Sequence, residues 1–139
     1  MIYLLDTNVC IEAIRRPHGA ISRRVRAMHE SEVAISAATL GEMLIGPLRQ
    51  KRPKDHDEGR RLAFFTDAIK TLDFDPACAA AFARLAAAAM DNGRPIGPVD
   101  LQIAATAIVH NLILVTHNRK HFAAVGGLEI QDWQGDTNP

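Results

Sequence analysis

Four oxygen-bearing side chains stand where a fold can bring them together. Asp6 ends the apolar run Ile2-Tyr3-Leu4-Leu5. Glu42 lies a turn or two into the helix that follows Val33-Ala34-Ile35. Asp100 comes after Gly97-Pro98-Val99, and Asn118 comes after Leu112 to Thr116. An acid placed directly after a wholly apolar strand sits at the mouth of a sheet, where its charge must be compensated. Two carboxylates 4 Å apart repel by about 4 kcal/mol at an effective dielectric of 20. A divalent cation removes that repulsion, and hard oxygen donors suit Mg²⁺ or Mn²⁺ rather than zinc. The six histidines are scattered; His117 and His121 flank the last of these positions and read as surface residues.

Each position also has a purely structural reading. Asp6 can cap a helix. Thr39-Leu40-Gly41-Glu42 fits a capping box, although a cap at Ser36 would leave Glu42 too deep in the helix to close one. Pro98 at the first helical position, with Asp100 in the first turn, is what a helix dipole favours. Only the joint occurrence of the four argues for a site.

The elements that must position these residues follow from apolar periodicity. Ile2–Leu5 reads as a buried parallel strand. A helix carrying Val9, Ile11 and Ile14 breaks near Pro17, and a basic amphipathic stretch carries Ile21, Val25 and Met28. Val33–Ile35 is a strand, and Ser36 caps a helix with Leu40, Met43 and Leu44 inward. Gln50–Gly59 is a polar loop. Leu62, Phe65 and Ile69 mark a helix, and Thr71–Phe74 a strand. An alanine-rich helix spans about Pro76 to Asn92 with Phe82, Leu85 and Met90 on its buried face, and Gly93 stops it. A helix over Val99–His110, a strand at Leu112–Thr116 and a last strand at Leu128–Ile130 complete the chain.

Strands separated by helices predict an α/β fold, a three-layer α/β/α sandwich around a short central parallel sheet of four to five strands. Ligands of such sheets bind outside the carboxyl ends of the strands, where strand order reverses. Asp6, Glu42 and Asn118 all follow strands, and Asp100 opens the helix leading into one.

Composition narrows the class. The chain has 139 residues, 47% of them apolar and 23% charged, which excludes a disordered or fibrous protein and suits one domain. We expect that domain to cover residues 1–133, with a short flexible tail at 134–139. Cys10 and Cys78 are too few and too far apart for a disulfide framework or a zinc site and read as buried hydrophobes. No signal peptide or membrane-spanning run is evident, so a cytoplasmic protein is expected. Lys+Arg and Asp+Glu are 16 each. Within that balance, Arg15, Arg16, Arg23, Arg24 and Arg26 crowd one stretch, and Arg49, Lys51, Arg52, Lys54, Arg60 and Arg61 another. The planar guanidinium suits phosphate. Aromatic residues at 5% leave little room for base stacking.

Four segments in order then carry a resemblance: Leu5-Asp6-Thr7-Asn8, Ile35 through Glu42, Gly97 through Ala105, and Leu114-Val115-Thr116-His117-Asn118. Together with the tail Phe122 to Trp133, they resemble the PIN domain and, more narrowly, the VapC toxins of bacterial toxin–antitoxin pairs. That resemblance implies a Mg²⁺- or Mn²⁺-dependent endoribonuclease, cutting to a 5′-phosphate and a 3′-hydroxyl, with Asp6, Glu42 and Asp100 as catalytic and metal-binding acids. Thr7, Asn8 and Thr116 resemble supporting positions. Asn118 stands where many relatives carry a fourth acid; its amide can ligate or hold water but brings no charge. An RNA substrate, a VapB-like antitoxin and a homodimer are the implied partners. Phe64, Phe65 and the arginine-rich helix are candidate dimer contacts, and Arg15, Arg16, Arg23, Arg24, Arg49 and Arg52 are candidate contacts to RNA or antitoxin. Two other classes fit less well. One is a PIN-fold module that binds RNA or a partner but cleaves weakly, suggested by Asn118. The other is an aspartyl-phosphate enzyme or receiver, whose haloacid-dehalogenase form would want an acid where Asn8 stands.

Overall fold

β1 (Tyr3–Leu5) sits at the centre of a five-stranded, all-parallel sheet, because its run offers apolar side chains to both faces. The computed structural model describes residues 1–49 and 56–134. The chain continues through α1 (Thr7–Arg15), α2 (Ala20–Ala27), a 3₁₀ turn (Glu30–Glu32), β2 (Val33–Ser36), α3 (Ala37–Leu48), α4 (His56–Ala68), β3 (Lys70–Leu72) and α5 (Pro76–Asp91). It ends with α6 (Pro98–Val109), β4 (Ile113–Val115), α7 (Arg119–Phe122) and β5 (Ile130–Gln131). The strand order is β3-β2-β1-β4-β5. The chain builds outward from β1 on one side and then crosses to β4 on the other. Strand order therefore reverses between β1 and β4, and their carboxyl ends open the crevice where ligands of such sheets bind.

Register explains the two cores. Leu4 pairs with Ala34 and Leu114, while Leu5 pairs with Ile35 and Val115. Side chains alternate faces along a strand, so the first row faces one helical layer and the second row the other. Leu5, Ile35 and Val115 pack with Val9, Cys10, Ile14, Ile21 and Met43 from α1, α2 and α3. Leu4, Ala34 and Leu114 pack with Ile103, Ala104, Ala107 and Phe122 from α6 and α7. The expected three-layer architecture is the one observed. Both cysteines are buried, as expected.

Several boundaries differ from the sequence expectation. The loop expected over Gln50–Gly59 gives way to helix at His56, where Asp57 and Glu58 place negative charge in the first turn. The two edge strands shift: β3 is Lys70–Leu72 rather than Thr71–Phe74, and β5 is Ile130–Gln131 rather than Leu128–Ile130. The pairing of Ser36 with Leu72 and of Val115 with Gln131 fixes these ends. Two side chains expected inside are outside, Leu44 on α3 and Met90 on α5, the latter 73% exposed. α5 buries Cys78, Ala81 and Ala89 instead, because small residues let α5 lie close to its neighbours. Gly93, at φ +65°, ends α5 in the left-handed conformation that an αL helix stop requires. Arg52 and residues 135–139 of the expected tail lie outside the described residues.

Candidate active site

The first turn of α1 and the exit of β4 build the centre of the site. Asp6 directly follows β1 and is 4% exposed. Its backbone N–H donates to Val115 O at 3.0 Å, which ties the exits of β1 and β4 together. The structural reading of Asp6 is borne out. Its Oδ1 caps α1 by accepting from Val9 N at 3.0 Å, and its Oδ2 accepts from the hydroxyl of fully buried Thr116. Burial pushes the Asp6 carboxyl above its ordinary value. The Thr116 hydroxyl, the Val9 N–H and the field of His117 pull it back, and the charge of Asp100 pushes it up again. That last influence makes Asp100, remote in sequence, an electrostatic neighbour of Asp6.

The structure decides between the two readings of Glu42. Ser36 caps α3, its Oγ accepting from Thr39 N at 3.1 Å, so Glu42 closes no capping box. Its Oε1 instead accepts from the Thr7 hydroxyl, one residue beyond Asp6. Thr7 Oγ1 also lies 3.2 Å from the hydroxyl of buried Thr39, so a chain of hydroxyls links α3 to the start of α1. Asp100 occupies the first turn of α6, after Pro98, as expected. Its Oδ2 is 3.3 Å from Nδ1 of His121 on α7.

Asp6 and Asp100 are thus electrostatic neighbours, and Thr7 holds Glu42 beside the residue that follows Asp6. Each acid has its own partner: Thr116 and Val9 donate to Asp6, Thr7 donates to Glu42, and the His121 ring lies against Asp100. Among the described residues, no three Asp, Glu, His or Cys side chains form a set gathered tightly enough to hold an ion as they stand. The donor chemistry still fits a hard divalent cation. Asp6 is a buried carboxylate that the charge of a second carboxylate pushes further up, and both groups offer only oxygen.

The supporting positions are placed unevenly. Thr7 and Thr116 touch the acids directly. Asn118 donates its backbone N–H to Thr116 Oγ1 at 3.0 Å and precedes α7. Asn8 is exposed on the first turn of α1. Among the described residues, neither asparagine side chain hydrogen-bonds to an acid. Of the two histidines expected at the surface, His121 is there and His117 is not. The His121 ring is 60% exposed but pairs with Asp100, whereas the His117 ring is only 14% exposed and sits between Asp132 and Glu12.

Much of the arginine cluster is used within the chain. Arg15 pairs with Glu58 at 3.0 Å, and Arg23 donates to His18 O at 2.7 Å. The guanidinium of Arg24 stacks 4.3 Å above the Trp133 ring. Arg16 and Arg49 are exposed. Of the candidate dimer contacts, Phe64 is exposed and Phe65 is half-buried against the first core.

The chain is similar to known proteins over nearly its whole length. The PIN domain family matches residues 3–128. The tRNA(fMet)-specific endonuclease VapC of Shigella flexneri is 35% identical over 134 residues, covering 94% of this chain and 97% of that protein. Ribonuclease VapC2 of Rickettsia felis is 31% identical, covering 96% and 98%. Among solved structures, VapBC2 from Rickettsia felis bound to a promoter DNA fragment superposes with a TM-score of 0.84 at 30% identity, over 96% of this chain and 99% of that one. DNA-bound VapBC from Salmonella typhimurium gives 0.82 at 32% identity, over 96% and 98%.

Proposed function

This chain belongs to the PIN domain family, and from that premise we propose that it is an endoribonuclease of the VapC kind, the toxin of a toxin–antitoxin pair. Asp6, Glu42 and Asp100 are its metal-binding acids, and Mg²⁺ or Mn²⁺ is the ion they take. The observation that carries the reading is Asp6: a carboxylate buried at the point where strand order reverses, raised by burial and by the charge of Asp100. A structural cap alone needs neither that burial nor that neighbour.

The chemistry supplied by such an ion, when bound, is Lewis acidity toward phosphate oxygens and toward water. The side chains do the rest. The Thr116 hydroxyl and the Val9 N–H stabilise the ionised form of Asp6, which is the form able to ligate. Thr7 donates to Oε1 of Glu42 and holds that carboxylate at the start of α1, and one of the three carboxylates takes the proton of the attacking water. Asp100 enters from the more open side of the crevice with His121 against it. Exposed Arg16 and Arg49, with Arg52 in the same stretch of sequence, suit the RNA phosphates or an acidic segment of the antitoxin.

A VapB-like antitoxin and a second copy of the chain are the protein partners we propose. The related structures of Rickettsia felis and Salmonella typhimurium are VapBC complexes bound to DNA. Among the described residues, no helix is long and apolar enough to cross a membrane. We place the action in the cytoplasm, where RNA is the substrate, with residues 1–133 as the working domain and 134–139 as a tail.

The test is cleavage of a panel of structured RNAs by protein stripped with EDTA. Re-addition of Mg²⁺ or Mn²⁺ restores cutting in the wild type, and Asp6→Asn abolishes it while RNA binding persists. Asn118, neutral where many relatives are acidic, favours a second reading, a module that binds RNA with little cleavage. Retained binding with no divalent-dependent cutting in the wild type would establish that reading instead.

A further inference from the structure

His117 lies outside the acid set, yet three elements converge on it. It follows Thr116 at the exit of β4. Its Nδ1 is 3.0 Å from Asp132 Oδ1, just past β5, and its Nε2 is 3.9 Å from Glu12 Oε1 on α1. A carboxylate only accepts, so Nδ1–H is the donor to Asp132. Against the partial burial that would raise it, the His117 Nδ1–H and the Gln134 N–H hold the Asp132 carboxyl below its ordinary value. Nε2 is buried without a hydrogen-bond partner among the described residues. A buried nitrogen left unmatched costs stability, so the favourable contribution of the ring lies in what Nδ1 does.

Asp132 is a firm anchor. On one side, Gln131 O accepts from Thr116 N at 3.0 Å within the sheet. On the other, Trp133 is buried edge-on against Tyr3, with ring centroids 5.2 Å apart, and Arg24 covers it. Gln134 N also donates to Asp132 Oδ1 at 2.9 Å. A ring fixed to that anchor fixes its own backbone, and Thr116 is the adjacent residue, whose hydroxyl serves Asp6 and accepts from Asn118 N.

We propose that His117 is a positioning residue for the acidic site: its pairing with Asp132 locks the exit of β4 in the conformation that presents the Thr116 hydroxyl to Asp6. This rests on the reading of Asp6 as a cation-binding acid. Beside the field that His117 exerts on Asp6, the contribution proposed is geometric, and it needs a donor at the position of Nδ1. Asparagine supplies one, since its Nδ2 is the same number of bonds from the backbone as the Nδ1 of histidine; leucine fills similar space and supplies none.

The experiment is calorimetric titration of the full chain with Mn²⁺, alongside thermal unfolding in EDTA. Relative to wild type, His117→Leu weakens Mn²⁺ binding by about tenfold, the scale for groups that orient metal ligands, and His117→Asn returns it to within about threefold. Asp132→Ala weakens binding as His117→Leu does, and the double variant is no worse than either single one. Should His117→Leu fail to fold, weak binding in Asp132→Ala with normal binding in His117→Asn supports the proposal equally. Wild-type affinity in His117→Leu, or in Asp132→Ala, overturns the proposal while leaving the function standing. So does a double variant whose losses add. A wild type that does not bind Mn²⁺ overturns both.

Discussion

Replacing Thr116 by valine removes one hydroxyl at a fully buried position and little else, so its effect can be worked out closely. That hydroxyl donates to Asp6 Oδ2, and a hydrogen bond to a charged group contributes about 1.5–3 kcal/mol. Asp6 is almost wholly buried, so solvent screens little of this. Because the hydroxyl favours the charged carboxylate over the neutral acid, the carboxyl of Thr116→Val rises further above its wild-type position. The sign follows from linkage. The folded-state pKa of Asp6 already lies above the ordinary 3.8, so the native state holds the extra proton across that window and stability falls as pH rises through it. The variant widens the window upward. Urea unfolding of metal-free protein from pH 4 to pH 8 is the assay. The deficit of Thr116→Val reaches about 1.5–3 kcal/mol at pH 8, where Asp6 must ionise, and shrinks toward that of a neutral hydrogen bond, about 1 kcal/mol, as pH falls. A deficit of the same size at every pH would show that the hydroxyl serves packing and not the charge on Asp6, and the linkage would then be wrong.

Three further outcomes follow from the same geometry. Asn118→Asp adds a carboxylate beside the site. Even the roughly 1 kcal/mol of a close charge pair in water tightens apparent Mg²⁺ affinity at least about fivefold, read by calorimetry; unchanged or weaker affinity places Asn118 outside the site. Met90→Lys, on the solvent side of α5, shifts unfolding free energy by less than about 0.5 kcal/mol, whereas Leu5→Ala in the central strand costs about 2–5 kcal/mol, both measured by urea midpoint. Arg24→Ala loses its stacking on Trp133 and about 0.5–1 kcal/mol of stability, and the Trp133 fluorescence changes as the ring is uncovered.

The centre of the fold was legible in the sequence because its signals are local. A four-residue apolar run halted by an acid can hardly be other than a buried strand opening on a site, and Leu4 and Leu5 do face opposite layers. The placement of Asp6 after β1, of Glu42 on α3 and of Asp100 in the first turn of α6 was legible for the same reason, since each follows from local strand and helix signals. Helix phase was less legible where alanine dominates. With Ala81 and Ala89 as acceptable inward residues as any, nothing in Pro76–Asp91 shows that Met90 faces out. On α3, Leu40, Met43 and Leu44 share one helical stripe, yet the stripe is wider than the contact and leaves Leu44 exposed. The edge strands slipped because hydrogen bonds to β2 and β4, and not their own composition, set where β3 and β5 end. His117 was hidden for a related reason. The carboxylate that buries it arrives from Asp132, and no period in the sequence joins the two.

The proposed activity requires Asp6 and Asp100, with Glu42 alongside, to hold one hard dication in the crevice between β1 and β4. Anomalous diffraction from crystals of the protein equilibrated with Mn²⁺ is the decisive measurement. A manganese peak is expected in contact with carboxylate oxygens of both Asp6 and Asp100, and it is absent from Asp6→Asn crystals grown the same way. Manganese bound elsewhere on the chain, with that crevice empty at saturating Mn²⁺, would contradict the proposal.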